Sequence, residues 1–333
     1  MNILVIQTAS IGDVILATPV LEKLHQTYPD AAIDLLVKYG NEPLFHGHPF
    51  LRKVWVWDKR EKKYARLLSL ISKIRNERYD VVINIQRFFS SGLITALSKG
   101  KTTIGFKKNP LSFFFSKRYV HTIGDPKKPV HEVERNLQLT ESLTDGKITP
   151  PRLYPFTSDD EKTGIFKEHS YICIAPASLW FTKQLPVEKW IELMEEIDKG
   201  LRVYLLGARS DYELCEEIIH GTSHPFVINL AGKISLLESA SLIRDARMTY
   251  VNDSAPMHLA SSVNAPVTAI FCSTVTDFGF GPLSEKSFIV ESKEKLDCRP
   301  CGLHGYKSCP KGHFKCAWNI KTEQLTETLN HGE

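Results

Sequence analysis

Short apolar runs alternate with amphipathic stretches along the whole chain. In the first half the runs are Ile3–Ile6, Ile33–Val37, Val54–Trp57 and Val81–Ile85. In the second half they are Tyr171–Ala175, Val203–Leu206, Met248–Val251 and Val267–Phe271. Each reads as a strand covered on both faces, because a parallel sheet between helices has no solvated face to alternate with. Between the runs, residues 61–77, 132–143, 187–198, 209–219 and 235–245 carry apolar residues at helical spacing. Strands alternating with helices of this length predict parallel sheets flanked by helices. Residues 146–160, GKITPPRLYPFTSDD, concentrate Pro, Gly and polar residues and mark a seam. The expected fold is therefore α/β, with two doubly wound Rossmann-like domains, 1–155 and 156–333, facing each other across a cleft. In such sheets ligands sit at the carboxyl ends of the strands.

A chain of 333 residues suits one or two domains. It has no run of 18 or more apolar residues to span a membrane. MNILVIQTAS lacks a basic n-region and a small-residue cleavage site, so it reads as a strand and a cytoplasmic protein is expected. The net charge of +4 hides an asymmetry: residues 1–150 hold 23 Lys+Arg against 14 Asp+Glu, or +9, leaving −5 for the rest (4 − 9). A basic half is either a solvated face or a surface for an anionic partner such as a phosphorylated glycolipid, an anionic membrane or a nucleic acid. No basic–aromatic nucleic-acid motif stands out, and the positive charge is spread over residues 52–128. Arg60, Lys62, Lys63, Arg87, Lys107 and Lys108 are the candidate phosphate contacts of this half.

Four loops carry candidate chemistry. Ser10-Ile11-Gly12-Asp13 follows the first strand; Gly12 permits a tight strand-to-helix turn, and Asp13 is either a helix-capping carboxylate or a reactive one at the sheet edge. Thr18-Pro19 further on is either an N-cap with the first helical residue or a kink. Pro176–Lys183 follows the strand Tyr171–Ala175; small and hydroxyl residues such as Ser178 and Thr182 leave backbone N–H groups open to phosphate, and Lys183 adds a point charge. In Val251–His258, the N–H groups of Ser254 and Ala255 would meet an anion at a helix N-terminus, and His258 lies within the first turns of that helix. Asp211, past the strand Val203–Leu206, either accepts from ribose hydroxyls or caps a helix. No GxGxxG occurs, which argues against a nicotinamide oxidoreductase.

Cys173, Cys215 and Cys272 lie singly in apolar patterns and read as core thiols. Cys298, Cys301, Cys309 and Cys316 cluster within 19 residues. Their spacing leaves two readings, a structural tetrahedral zinc site or free thiols, with His304 and His313 as alternative ligands.

Taken in order, these motifs resemble glycosyltransferase family 9, the heptosyltransferases, over nearly the whole chain. ILVIQTASIGDVILATPVL resembles the family's opening strand, glycine turn and catalytic aspartate. Phe181–Pro186 with Trp190 is similar to its lysine loop, although Gln184-Leu185 stands where a basic-Trp pair is more usual. NLAGKISLLESASLI, which contains Gly232, and VNDSAPMHLASSVNAP, with Asp253, are similar to its nucleotide-binding segments; Ser254-Ala255 stands where a hydroxyl residue followed by Gly is commoner. FGPLSEK is close to a segment of heptosyltransferase II. The resemblance implies a GT-B enzyme that transfers heptose with inversion from ADP-L-glycero-D-manno-heptose to Kdo or heptose on a phosphorylated lipid A–inner core. It implies Asp13 as the base, Lys183 on the leaving diphosphate, and peripheral contact with the cytoplasmic face of the inner membrane. No Asp-x-Asp pair is present, so no metal–diphosphate site is expected and no cofactor is required. The rival readings are another nucleotide-sugar glycosyltransferase or epimerase on the same fold, and a zinc-stabilised binding protein without activity.

Overall fold

The computed structural model describes residues 1–124 and 129–330. The end of the basic span 52–128 and the last three residues lie outside the described residues. The chain divides into two compact units, Met1–Tyr154 and Pro155–Glu333. The first holds strands β1 (Asn2–Ile6), β2 (Ala32–Lys38), β3 (Leu51–Trp57), β4 (Val81–Asn84), β5 (Thr102–Phe106) and β6 (Lys117–Tyr119). Its helices are α1 (Ile11–Ile15), α2 (Thr18–Thr27), α3 (Lys63–Asn76), α4 (Phe89–Leu97) and α5 (Glu132–Leu137). The second holds β7 (Tyr171–Ala175), β8 (Arg202–Leu205), β9 (Val227–Asn229), β10 (Thr249–Asn252), β11 (Val267–Phe271) and β12 (Ser287–Glu291). Its helices are α6 (Thr157–Thr163), α7 (Val187–Glu196), α8 (Tyr212–Gly221), α9 (Leu236–Arg244), α10 (Ala255–Ser262), α11 (Lys315–Trp318) and α12 (Thr322–Asn330).

Both sheets are parallel throughout. The first runs β3-β2-β1-β4-β5-β6 and the second β12-β11-β10-β7-β8-β9, the same order read from the other edge. Strand order therefore reverses beside β1 and β4 in one unit, and beside β7 and β10 in the other. Those two switch points open crevices at the carboxyl edge.

The central strands are the apolar runs: Ile3, Leu4, Val5 and Ile6 are fully buried. Leu67, Leu70, Ile71 and Ile74 recur at helical spacing on α3 and pack on Leu4, Ile6, Leu36 and Trp55. In the second unit, Trp190, Leu193 and Met194 of α7 and Cys215 and Ile218 of α8 close over Ile172, Ile174, Val203 and Leu205. Burial of side chains of this size is worth about 1.5–3 kcal/mol each, which is what holds helices to sheets. Cys173, Cys215 and Cys272 are buried, as expected, and Cys215 and Cys272 belong to this packing.

Four strands were not apparent in the sequence pattern. β5, β6, β9 and β12 are short or mix polar with apolar residues, as in Thr-Thr-Ile-Gly-Phe and Lys-Arg-Tyr. The reading of Thr18-Pro19 also changes. The helix breaks after Ile15, and a new one begins with Thr18, placing Pro19 in its first turn over the cap residue Ala17. The Thr18 hydroxyl donates back to Ile15 O (2.7 Å) and accepts from the Arg152 N–H (2.9 Å).

At the amino edge of the first sheet, Asp34 is completely buried yet fully partnered. Arg52 grips it bidentately (2.9 and 2.6 Å), the Trp55 indole N–H donates to it (3.3 Å), and so does the Tyr79 hydroxyl. Such a carboxylate is tolerated only because four donors converge on it. Among the described residues no helix is long and apolar enough to cross a membrane.

Candidate active site

In the first unit the candidate residues gather at the carboxyl edge. Gly12 and Asp13 lie in α1, directly after β1. Asp13 is not the N-cap; Ser10 is, and Asp13 is the third helical residue. Its carboxylate reaches back to accept from the Ser10 N–H (3.2 Å) and from the Ser10 hydroxyl. One carboxylate oxygen thus anchors the turn, and the half-buried group stands at the carboxyl edge of the sheet. Gln7 and Gln86, at the ends of β1 and β4, join side chain to side chain, and the Gln7 amide also donates to Asp13 O (3.3 Å).

The basic candidates occupy the neighbouring loops. Arg60 and Lys62 lie between β3 and α3, Lys63 opens α3, Arg87 follows β4, and Lys107 and Lys108 follow β5; all are exposed. Arg60 is already committed, bridging Asp58 (3.1 and 3.0 Å) and stacking on Tyr39. The sequence reading missed Lys59. Its ammonium lies over Trp57 and donates to Thr8 O (3.4 Å), in the loop that carries Asp13. Burial, with Lys38 and Lys63 nearby, holds its pKa below the ordinary lysine range. A crowd of cations of this kind favours an anion.

In the second unit, Lys183 and Asp253 meet. The ammonium lies 2.7 Å from Asp253 Oδ2, with the two side chains only 15% and 10% exposed. Thr274 donates to the same carboxylate oxygen (2.6 Å). Lys183 follows β7 and Asp253 follows β10, so the pair stands at the second switch point. Ser254 caps α10 in an extended conformation, with Ala255 and Pro256 opening the helix and both Ser254 and Ala255 half-buried. His258, on the same helix, is buried.

Asn252 and Thr182 hold the lysine loop in place, and Asn252 was not singled out from sequence. The Asn252 amide donates to Pro176 O (2.6 Å) and accepts from the Leu185 N–H (3.0 Å), gripping the loop at both ends. Ser178 O accepts from Gln184 (2.5 Å). The Thr182 hydroxyl accepts from Ser273 (3.0 Å) and from the Tyr306 N–H (2.8 Å). Gly305 has φ +78°, and a Cβ there would lie 2.9 Å from Thr182 Oγ1. The cysteine loop is therefore seated against the lysine loop.

Asp211 is engaged locally, accepting from the Ala208 N–H (2.8 Å) and the Ser210 hydroxyl (3.1 Å). The turn it closes touches Gly232, whose N–H donates to Gly207 O (2.9 Å). Gly232 has φ +70°, and a Cβ would meet Arg209 Cα at 2.6 Å, so the close approach requires glycine.

The cysteines of the 298–316 cluster lie near one another. Burial first, and then the neighbouring Cys298 and Cys309, raise the Cys301 thiol pKa, and burial with Cys301 and Cys309 nearby pushes Cys316 up to about 11. Cys298 Sγ lies 3.8 Å from His313 Nε2, while His304 is exposed. Yet among the described residues no group of three or more His, Cys, Asp or Glu side chains is placed to hold a metal ion.

Two parallel sheets of this order, each with polar side chains collected at its switch point, make up the GT-B fold. The chain belongs to glycosyltransferase family 9 (heptosyltransferase), whose profile matches residues 67–305. It is 27% identical over 279 residues to lipopolysaccharide heptosyltransferase 3 of Escherichia coli, covering 79% of this chain and 81% of that one. It is 26% identical over 356 residues to lipooligosaccharide heptosyltransferase 2 of Haemophilus influenzae, covering 99% of each. In fold it is similar to the solved ADP-heptose lipopolysaccharide heptosyltransferase II of E. coli, with a TM-score of 0.82 at 23% identity over 100% of this chain and 98% of that chain.

Proposed function

We propose that this glycosyltransferase moves a heptose from ADP-L-glycero-D-manno-heptose onto a Kdo or heptose hydroxyl of a phosphorylated lipid A–inner core, at the cytoplasmic face of the inner membrane. The observation that carries the reading is the Lys183–Asp253 pair beside the N-terminus of α10. A lysine and a helix N-terminus converging at a switch point suit a diphosphate, with no Asp-x-Asp motif to recruit a metal. The names of the relatives support heptose as the sugar and lipopolysaccharide as its destination.

The reaction is a single displacement with inversion. The acceptor oxygen forms its bond to the anomeric carbon as the bond from that carbon to the diphosphate oxygen breaks. Asp13 takes the acceptor proton; aspartate suffices as base because the hydroxyl acidifies as its new bond forms. ADP leaves with added negative charge, which Lys183 and the N–H groups of Ser254 and Ala255 stabilise. The 207–211 turn and the segment 231–236 hold adenosine. The cationic loops of the first unit, Lys59 included, hold acceptor phosphates.

The test is mass-spectrometric detection of heptose transfer from ADP-heptose to a defined inner-core acceptor, with ADP and UDP compared by calorimetry. Transfer with a preference for ADP is expected. Equal affinity for both nucleotides, or transfer of a different sugar, overturns the assignment.

A further inference from the structure

Four phenylalanines stand exposed on two adjoining loops of the first unit. Phe88 and Phe89, at the start of α4, are 54% and 58% exposed; Phe113 and Phe114, between β5 and β6, are 63% and 62% exposed. Asn109 joins the loops, its amide donating to Gln86 O and Phe88 O at 3.0 Å. The Phe113 and Phe114 rings lie 4.2 Å apart, centroid to centroid.

These rings are held outward. Asn109 Oδ1 accepts from the Leu111 N–H (3.0 Å), Ser112 donates to Lys107 O (3.1 Å), and Phe115 is buried against Gly105. The turn is therefore built around a buried phenylalanine that leaves its two predecessors in water. Exposed aromatic rings gathered on two loops that Asn109 joins mark a docking surface.

The charge around it selects the partner. Segments 84–92 and 105–120 contain Arg87, Lys107, Lys108, Lys117 and Arg118 and no Asp or Glu. All five cations are exposed. Aromatic rings at the tips of turns, rimmed by cations alone, fit an anionic bilayer: rings enter the head-group region while ammonium and guanidinium groups meet lipid phosphates. The patch also shares an edge with the candidate base, through Asn109 to Gln86, Gln86 to Gln7, and Gln7 to Asp13 O.

We propose that Phe88, Phe89, Phe113 and Phe114 insert into the interface of an anionic membrane, presenting the carboxyl edge of the first sheet to a lipid-linked acceptor. Only the purpose of this docking rests on the proposed acceptor; the docking itself does not.

The test is sedimentation of the full chain with phosphatidylcholine vesicles, with and without phosphatidylglycerol. The protein should partition onto the anionic vesicles and much less onto the neutral ones. Phe113→Ser with Phe114→Ser, and separately Phe88→Ser with Phe89→Ser, should each reduce partitioning about tenfold or more at unchanged melting temperature and ADP affinity. Phe113→Trp with Phe114→Trp should retain it, since Trp also favours the interface. Lys107→Ala with Lys108→Ala should weaken binding and flatten its salt dependence. A wild-type chain that ignores anionic vesicles overturns the proposal, as do serine variants that bind like wild type. Self-association in ultracentrifugation that the serine changes abolish, without vesicle binding, assigns the patch to a second copy and overturns it too. Vesicle binding without heptose transfer would overturn the proposed function and leave this inference standing.

Discussion

Lys183 and Asp253 are 70 residues apart in the chain and 2.7 Å apart in space, paired across the loops that follow β7 and β10. On the proposed function, the pair keeps a cation beside the donor diphosphate and also places a carboxylate beside it. The two partners should therefore affect ADP in opposite directions. Lys183→Ala should weaken ADP binding by about 10- to 100-fold, the worth of a charge-assisted hydrogen bond, and lower kcat as well. Asp253→Asn removes the repulsion while its amide oxygen still accepts from Thr274, so ADP affinity should rise severalfold. Calorimetric titration of both variants decides it; weakened binding in both would mean that Asp253 acts as a ligand-positioning group only.

At Asp13, the geometry separates turn closure from chemistry. In Asp13→Asn the amide oxygen can still accept from the Ser10 N–H and hydroxyl, so the melting temperature and ADP affinity should barely move. The proton acceptor is gone, so kcat should fall roughly 10²–10⁴-fold. Steady-state kinetics beside a thermal melt measures both, and a fully active variant would remove Asp13 as base.

Stability at the far edge of the same sheet rests on Arg52. Replacing it by Met leaves the buried Asp34 with only Tyr79 and Trp55 as donors, and should cost about 3 kcal/mol. Combining it with Asp34→Leu should recover most of that loss, because no unpaired charge then remains inside. Urea denaturation of the single and double variants checks this, and equal losses in both would refute it.

His48 predicts a pH dependence. Its ring packs edge-on against Phe50 and Tyr154, and neither ring nitrogen has a hydrogen-bond partner among the described residues. Burial first, and then repulsion from His25, push its pKa down to about 4. The unfolded chain binds this proton near pH 6.5, so the stability is present above that pH and is lost as pH falls from 6.5 toward 4. Glu22, whose carboxyl burial raises, acts with the opposite sign, so the comparison is with His48→Gln. Between pH 7 and 4.5 the wild-type melting temperature should fall roughly 5 °C further than the variant's. Parallel melting curves across that range would exclude His48.

Chelation tests the absence of metal from the mechanism. With the leaving group assigned to Lys183 and backbone N–H groups, turnover should persist in EDTA. Complete loss that Mg²⁺ restores would overturn that account. Loss accompanied by unfolding would place a structural ion at Cys298, Cys301, Cys309 and Cys316 after all.

Much of this protein is set by local pattern. The central strands β1, β4, β7 and β10 are runs so apolar that only a doubly covered sheet can hold them, and the loops after β1, β7 and β10 announce themselves by small, hydroxyl and charged residues directly past those runs. The Ser10–Asp13 turn closes within four residues, so a carboxylate closing it was readable along the chain. The tertiary structure decided what depends on distant pairing. Edge strands such as β6 and β9, three residues each, exist only because a neighbouring strand supplies their hydrogen bonds. Lys59 reaches the Asp13 loop because β3 lies in the same sheet as β1, and Asn252 can grip the lysine loop because β10 pairs with β7. The cysteines show the same division: their spacing was legible along the chain, whereas the seating of the backbone between them against Ser273 and Thr182 depends on tertiary contacts. Sequence periodicity reports which residues must be buried, whereas sheet order and register decide which of them meet.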